Sequence, residues 1–172
     1  MTVITQKDFI ESIADSLQYV SFFHPPDFIR AMARAYEREA SEAARNAIAQ
    51  ILINSRMAAE GHRPICQDTG IVVVFLKIGM EVRFDSRLPV QEMVDEGVRR
   101  AWNHVDNPLR ASVVAPPFGK RRNTGDNTPA VVHTEIVAGD RLEVIVAAKG
   151  GGSENKARFT ILNPNDDLIS WV

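Results

Sequence analysis

Apolar residues recur at helical spacing through the first part of the chain, then give way to short strand-like runs. Phe9, Ile10, Ile13, Leu17 and Val20 share one face of a helix over residues 6 to about 20. Thr5-Gln6-Lys7-Asp8 ahead of them has the form of a capping box, with Asp in the acidic position. Pro25-Pro26 ends this helix, and Pro26 suits the first turn of the next. From Asp27 to about Ala59 the pattern is helical again, with Phe28, Met32, Tyr36, Ile48, Ile51 and Leu52 near one face. It predicts one long helix, or two with a kink, lying either on a partner surface as in a homodimer or on the chain's own sheet.

Ile71 to Ile78 reads as a buried strand, punctuated by Gly79. Met80 to Phe84 either continues it or returns as a second strand. Pro89 begins a helix whose Val90, Met93, Val94, Val98, Ala101 and Trp102 form one stripe, and Asn107-Pro108 closes that helix or the turn after it. Residues 109 to 129 are rich in Pro and Gly and lack periodicity, and a loop of about twenty residues is usually functional or disordered. Ala130 to Val137 and Arg141 to Ala148 are strand-like, with Gly139-Asp140 between them as a hairpin turn. Asn163-Pro164-Asn165-Asp166-Asp167 has the composition of a cap and acidic first turn, followed by Leu168, Ile169 and Val172. The chain stops there, inside a helix just begun, so an artificial C-terminal boundary is expected. The fold class predicted is α/β with α+β character. An N-terminal helical layer (about 1–61) precedes a mixed β-sheet with packed helices (about 62–172), truncated at its end.

Composition changes little in this picture. At 172 residues, 45% hydrophobic and 24% charged, the chain reads as one ordinary globular domain. A net charge of −2 argues against a nucleic-acid or polybasic membrane surface. No apolar run nears the roughly 20 residues of a membrane span, and the N-terminus lacks the pattern of a signal peptide. A single cysteine excludes an internal disulfide and fits a reducing cytoplasm.

Chemistry concentrates in four places. In Arg63-Pro64-Ile65-Cys66-Gln67-Asp68-Thr69-Gly70, a thiol, an amide, a carboxyl and a hydroxyl follow one another. An unpaired cysteine is commonly an inert buried hydrophobe, but these neighbours are poor company for one. A metal or cluster thiolate and a nucleophile both remain open. His24, His62, His104 and His133 show no spacing that would supply a base or a ligand set. Asp68 either handles protons or caps its own turn. Lys149-Gly150-Gly151-Gly152-Ser153-Glu154-Asn155-Lys156 offers successive backbone N–H groups between two lysines. That is an anion-binding concavity or a flexible turn, and it lacks the ending of a P-loop. Arg110, after Asn107-Pro108-Leu109, could grip a carboxylate through two parallel bonds or simply face solvent. The run Asn123-Thr124-Gly125-Asp126-Asn127 either rigidifies a loop around a polar ligand or closes on itself.

In chain order, these four pieces resemble the N-terminal part of the iron–sulfur-dependent (class I) fumarate hydratases, and the alpha-type subunit of tartrate dehydratase in the same hydro-lyase family. The resemblance spans nearly the whole chain, and Gln67 resembles the fumarase branch. It implies a 4Fe–4S cluster in the full-length parent, held by three cysteines with one iron open to substrate. It further implies Cys66 as one cluster ligand, Gln67 and Asp68 as substrate contacts with Asp68 handling a proton, and Arg110 with the backbone of Gly150, Gly151 and Gly152 holding carboxylates. The other two cysteines and the catalytic base of such enzymes fall beyond this chain. It is therefore expected to hold no cluster by itself and to need a missing C-terminal part or subunit.

The implied reaction is reversible hydration of fumarate to malate. Tartrate dehydratase and mesaconase-type chemistry are alternatives on other small dicarboxylates. Two readings outside the class remain: a non-catalytic carboxylate-binding or assembly subunit, and a cysteine-nucleophile enzyme.

Overall fold

Thr5 ends the first strand and starts the first helix. In the computed structural model, which describes residues 1–116, 118–151 and 158–171, β1 spans Thr2–Thr5 and α1 spans Gln6–Phe22. The Thr5 hydroxyl accepts the Asp8 N–H at 3.1 Å, the first half of the expected capping box. Phe9, Ile10, Ile13, Ala14 and Leu17 are the buried face of α1.

The long helical stretch is two helices, α2 (Pro26–Arg38) and α3 (Glu42–Gly61). Ser41 N-caps α3 by accepting the Ala44 N–H, so the break has a local cause. The two helices pack on each other and neither lies along the sheet, which overturns the expectation that the stretch covers its own sheet. Their outward residues Tyr36, Ile51, Ile53 and Met57 are exposed. No helix of the described residues is long and apolar enough to cross a membrane.

β2 (Ile71–Gly79) is the centre of a three-stranded sheet, with β6 (Val131–Val137) parallel to it on one side and β7 (Leu142–Lys149) antiparallel on the other. The sheet is mixed, as expected, but Gly139-Asp140 does not close a hairpin. The β6–β7 turn passes over the end of β2, which lies between the two strands. Gly79 N–H donates to Arg141 O at 2.8 Å and Glu81 N–H to Gly139 O at 2.9 Å. A side chain on Gly79 would put its Cβ 2.3 Å from Gly139 O, so only glycine lets the turn close down on the strand. β3 (Val82–Asp85) neither extends β2 nor folds back on it. It pairs in parallel with β1, which the sequence pattern did not reveal.

α4 (Val90–Trp102) follows Pro89 as predicted, burying Met93, Val94, Val98, Ala101 and Trp102. α1 packs along α4 and against β7. Together with Val72, Val74 and Leu76 of β2 they form the core. β2 is therefore buried on one face only. Its alternate residues Ile71 (43% exposed) and Phe75 (44%), with Val131 (45%) and Ile145 (49%) on the flanking strands, make an open apolar face. The sequence pattern reads Ile71 to Ile78 as a buried strand, and the described helices cover one of its faces alone.

The segment 109–129 contains a two-residue ladder, β4 (Val114–Ala115) with β5 (Arg122–Asn123). At the end of the chain α5 spans Leu168–Trp171, capped by Asp167, which accepts the Ile169 N–H at 3.0 Å. Leu168 and Ile169 are exposed, and Val172 lies outside the described residues.

Candidate active site

The Cys66 loop hangs between two fixed ends. At its start α3 closes with His62 in the left-handed region (φ 47°), and both His62 and Arg63 donate to Ala58 O. Ile65 is then fastened by both backbone groups: its N–H donates to Ser21 O at 2.8 Å, and its carbonyl accepts from Asn54 Nδ2 at 3.0 Å. Cys66, Gln67 and Asp68 follow on the exposed side. The Cys66 Sγ lies 3.5 Å from both Gln67 Oε1 and the Asp68 N–H.

Asp68 ties this loop to the glycine turn. One carboxylate oxygen accepts the Gly70 N–H at 3.2 Å and the other accepts the Gly151 N–H at 2.9 Å. Gly70 closes the loop at φ 77°, where a Cβ would lie 2.4 Å from the carbonyl carbon and oxygen of Lys149. The end of β7 can approach the loop so closely only because no side chain stands there. Of the three glycines singled out from sequence, Gly150 and Gly151 adjoin Asp68, while Gly152 lies outside the described residues, as do Ser153 to Lys156. The Gly151 N–H of the turn is given to the carboxylate of Asp68.

Arg110 is positioned through its backbone. Gln18 and Asn107 form a reciprocal amide pair, Gln18 Nε2 donating to Asn107 O at 3.1 Å and Asn107 Nδ2 to Gln18 Oε1 at 2.9 Å. Asn107 is 6% exposed, so this half of the Asn107-Pro108-Leu109-Arg110 motif is structural. The Leu109 N–H donates to Trp102 O, and the Arg110 carbonyl accepts from Trp102 Nε1 at 3.2 Å and from the Thr69 hydroxyl. The Arg110 side chain is exposed and makes no ion pair or hydrogen bond among the described residues. Thr69 and Trp102, which join the two loops, had no assigned role in the sequence; only the fold brings residues 41 apart together.

Between these loops lies a cleft of about 100 Å³ beside Cys66 and Asp68, walled by Leu17, Val20, Trp102 and Leu109. The polar run 123–127 closes partly on itself, Asn123 accepting the Gly125 N–H and Asp126 accepting from both the N–H and the hydroxyl of Thr128. It is tied partly to the Arg110 segment, Asn123 Nδ2 donating to Ala111 O at 2.8 Å and the Thr124 N–H to Val113 O at 3.0 Å. Arg99 of α4 adds an ion pair to Asp126 at 3.1 Å. Burial pushes the Asp126 carboxyl up, but the Thr128 donors and the Arg99 guanidinium together outweigh it and leave the carboxyl below the usual range. Asn127 reaches further, to the Cys66 loop, donating to Gly70 O at 2.9 Å.

A 4Fe–4S cluster takes thiolate donors. Cys66 fits one such position, since its sulfur is exposed and meets only two weak contacts at 3.5 Å. Among the described residues no group of three His, Cys, Asp or Glu is placed to hold a metal ion. The remaining donors would have to come from outside these residues.

Residues 10–172 match the family model described as fumarate hydratase (Fumerase). The chain is 33% identical over 159 residues to a provisionally named L(+)-tartrate dehydratase alpha subunit of Methanocaldococcus jannaschii, covering 91% of this chain and 55% of that protein. It is 34% identical over 155 residues to the anaerobic class I fumarate hydratase of Escherichia coli, covering 86% of this chain and 28% of the relative. Over 122 residues it is 38% identical to the aerobic class I enzyme of the same organism, covering 69% and 21%. The chain thus spans about half the length of the tartrate dehydratase subunit and under a third of the fumarate hydratases. With a family match running through the Cys66 loop, the Arg110 segment and the glycine turn alike, the chain belongs to the fumarate hydratase family of hydro-lyases.

Proposed function

We propose that this chain supplies one cluster thiolate and part of the dicarboxylate site of a hydro-lyase that interconverts fumarate and malate. The observation that carries the reading is the convergence of three separate segments on Asp68 and its neighbours: Asp68 on the Gly151 N–H, and Thr69 on the Arg110 carbonyl. A 2-hydroxy diacid is a dianion, so its site needs cationic and N–H donors at two separated points. The Arg110 guanidinium supplies one, and the glycine-turn N–H groups supply the other. Gln67 offers a neutral amide to a substrate oxygen. Asp68, exposed at the loop tip, takes part in the proton transfers of the reaction, with the base that acts at carbon supplied by the remainder of the protein. The 4Fe–4S cluster, when bound with Cys66 among its thiolates, supplies Lewis acidity toward the leaving hydroxyl.

The rest of the site comes from the remainder of the family-length protein, in the same chain or as a second subunit. The names of the tartrate dehydratase alpha subunits support the two-subunit form. The open sheet face and the outward residues of α2 and α3 leave room for that remainder and for a homodimer contact. The setting proposed is cytoplasmic.

Tartrate is the second substrate to weigh, because the alpha subunits are the relatives this chain covers most fully. The experiment is an anaerobic hydration and dehydration assay of the completed enzyme on fumarate, L-malate, tartrate and mesaconate. The reading predicts kcat/KM highest for the fumarate–malate pair. A preference for tartrate would move the chain to the other branch, and no turnover of any diacid would overturn the reading.

A further inference from the structure

We propose that Asn127 is the positioning residue that fixes the spacing between the Cys66–Asp68 loop and Arg110. It is 0% exposed and sits in the left-handed region at φ 64°, a conformation Asn tolerates better than most residues. Its carboxamide uses both ends. Oδ1 accepts the N–H groups of Ser112 at 2.7 Å and Val113 at 3.2 Å, just past Arg110, while Nδ2 donates to Gly70 O at 2.9 Å, just past Asp68.

All three side-chain bonds go to backbone groups 14 to 57 residues away and join both loops, whereas Asn123, which donates to Ala111 O, reaches only the Arg110 side. The carboxamide is itself braced from α4. Arg99 pairs with Asp126 on one side of it, and Asp95 accepts the Ala130 N–H at 2.8 Å on the other. A buried amide with both its oxygen and its nitrogen engaged, three bonds in all, is held in one orientation. The carbonyl it holds belongs to Gly70, whose own N–H is bonded to Asp68. Asn127 therefore links α4 to two loops that, among the described residues, are otherwise directly hydrogen-bonded through Thr69 and Arg110.

This inference rests on the reading that the two loops form one dicarboxylate site, but its test does not require activity. Asn127→Gly removes the carboxamide and leaves the left-handed backbone unstrained. Asn127→Asp keeps the acceptor for Ser112 and Val113 and loses the donor to Gly70. Amide hydrogen exchange and the alkylation rate of Cys66 are measured on this chain for both variants.

In Asn127→Gly, exchange at Ser112 and Val113 is expected to quicken about tenfold, as loss of one hydrogen bond allows. The Gly70 N–H, itself bonded to Asp68, is expected to quicken with the loosening of the loop once its carbonyl loses the Asn127 donor. The central amides of β2 should be unchanged. In Asn127→Asp, Ser112 and Val113 are expected to regain protection while Gly70 does not, and Cys66 alkylation should differ from wild type in both variants. A uniform loss of protection across β2, β6 and β7 would mean a purely structural residue and would overturn the proposal. So would unchanged exchange at Gly70 in Asn127→Gly, which carries the test alone should the other variant fail to fold. If these changes appear and the completed enzyme turns over no diacid, the positioning role stands and the dicarboxylate reading fails.

Discussion

Asp68→Asn is expected to lower turnover of the completed hydro-lyase by about 10²–10⁴-fold, the range for removing a general acid or base. KM should move much less. The substitution is nearly isosteric and keeps one oxygen able to accept the Gly151 N–H, now bonded at 2.9 Å, while its amide nitrogen cannot accept the Gly70 N–H at 3.2 Å, so the loop keeps the shorter of its two anchors. What it removes is a group able to gain and lose a proton at working pH. Steady-state kinetics with fumarate and with malate measure the effect, and both directions should fall together because they share one transition state. A loss below about tenfold would assign Asp68 to holding the glycine turn and place the proton-transfer group elsewhere.

Gly70→Ala is expected to cost about 3–4 kcal/mol of folding stability. Roughly 1–2 kcal/mol of this is a side chain in the left-handed region, and the rest is overpacking. The overlap has no soft side. The added Cβ would stand 2.4 Å from backbone atoms of Lys149, and Lys149 is held by its pairing with Ile71 at the end of the β2–β7 ladder. Either the strand end separates or the loop swings away, and each course breaks the Asp68–Gly151 bond. Urea unfolding of this chain reads the stability, and a loss under about 1 kcal/mol would show that the strand end yields cheaply.

Features written in contiguous sequence were legible from it. The Thr5 cap, the start of α2 at Pro26 and the stripe of α4 each depend on residues within a turn or two of one another. The four chemical segments were legible as well, since each gathers its polar groups locally. Pairing was not. β1 is four residues long and finds β3 some eighty residues away, with no pattern to announce it. Gly139-Asp140 has the composition of a hairpin turn, but turn chemistry does not say whether a third strand lies between the two it joins. The apolar run of β2 reads as a buried strand but not as one covered on a single face, because periodicity counts apolar residues and cannot count the helices available to cover them. In the site, Asn127 stood inside a run already singled out. Its composition allows local closure, and only the fold shows that its own partners are Gly70, Ser112 and Val113.

The central claim is that Cys66 gives its sulfur to a cluster beside a dicarboxylate site. The most direct measurement is iron and sulfide content, with the cluster absorbance, after anaerobic reconstitution of three samples: this chain alone, the completed enzyme, and the completed enzyme carrying Cys66→Ser. The account predicts a stoichiometric cluster in the completed enzyme only. A full cluster retained in Cys66→Ser, or assembled on this chain by itself, would contradict it.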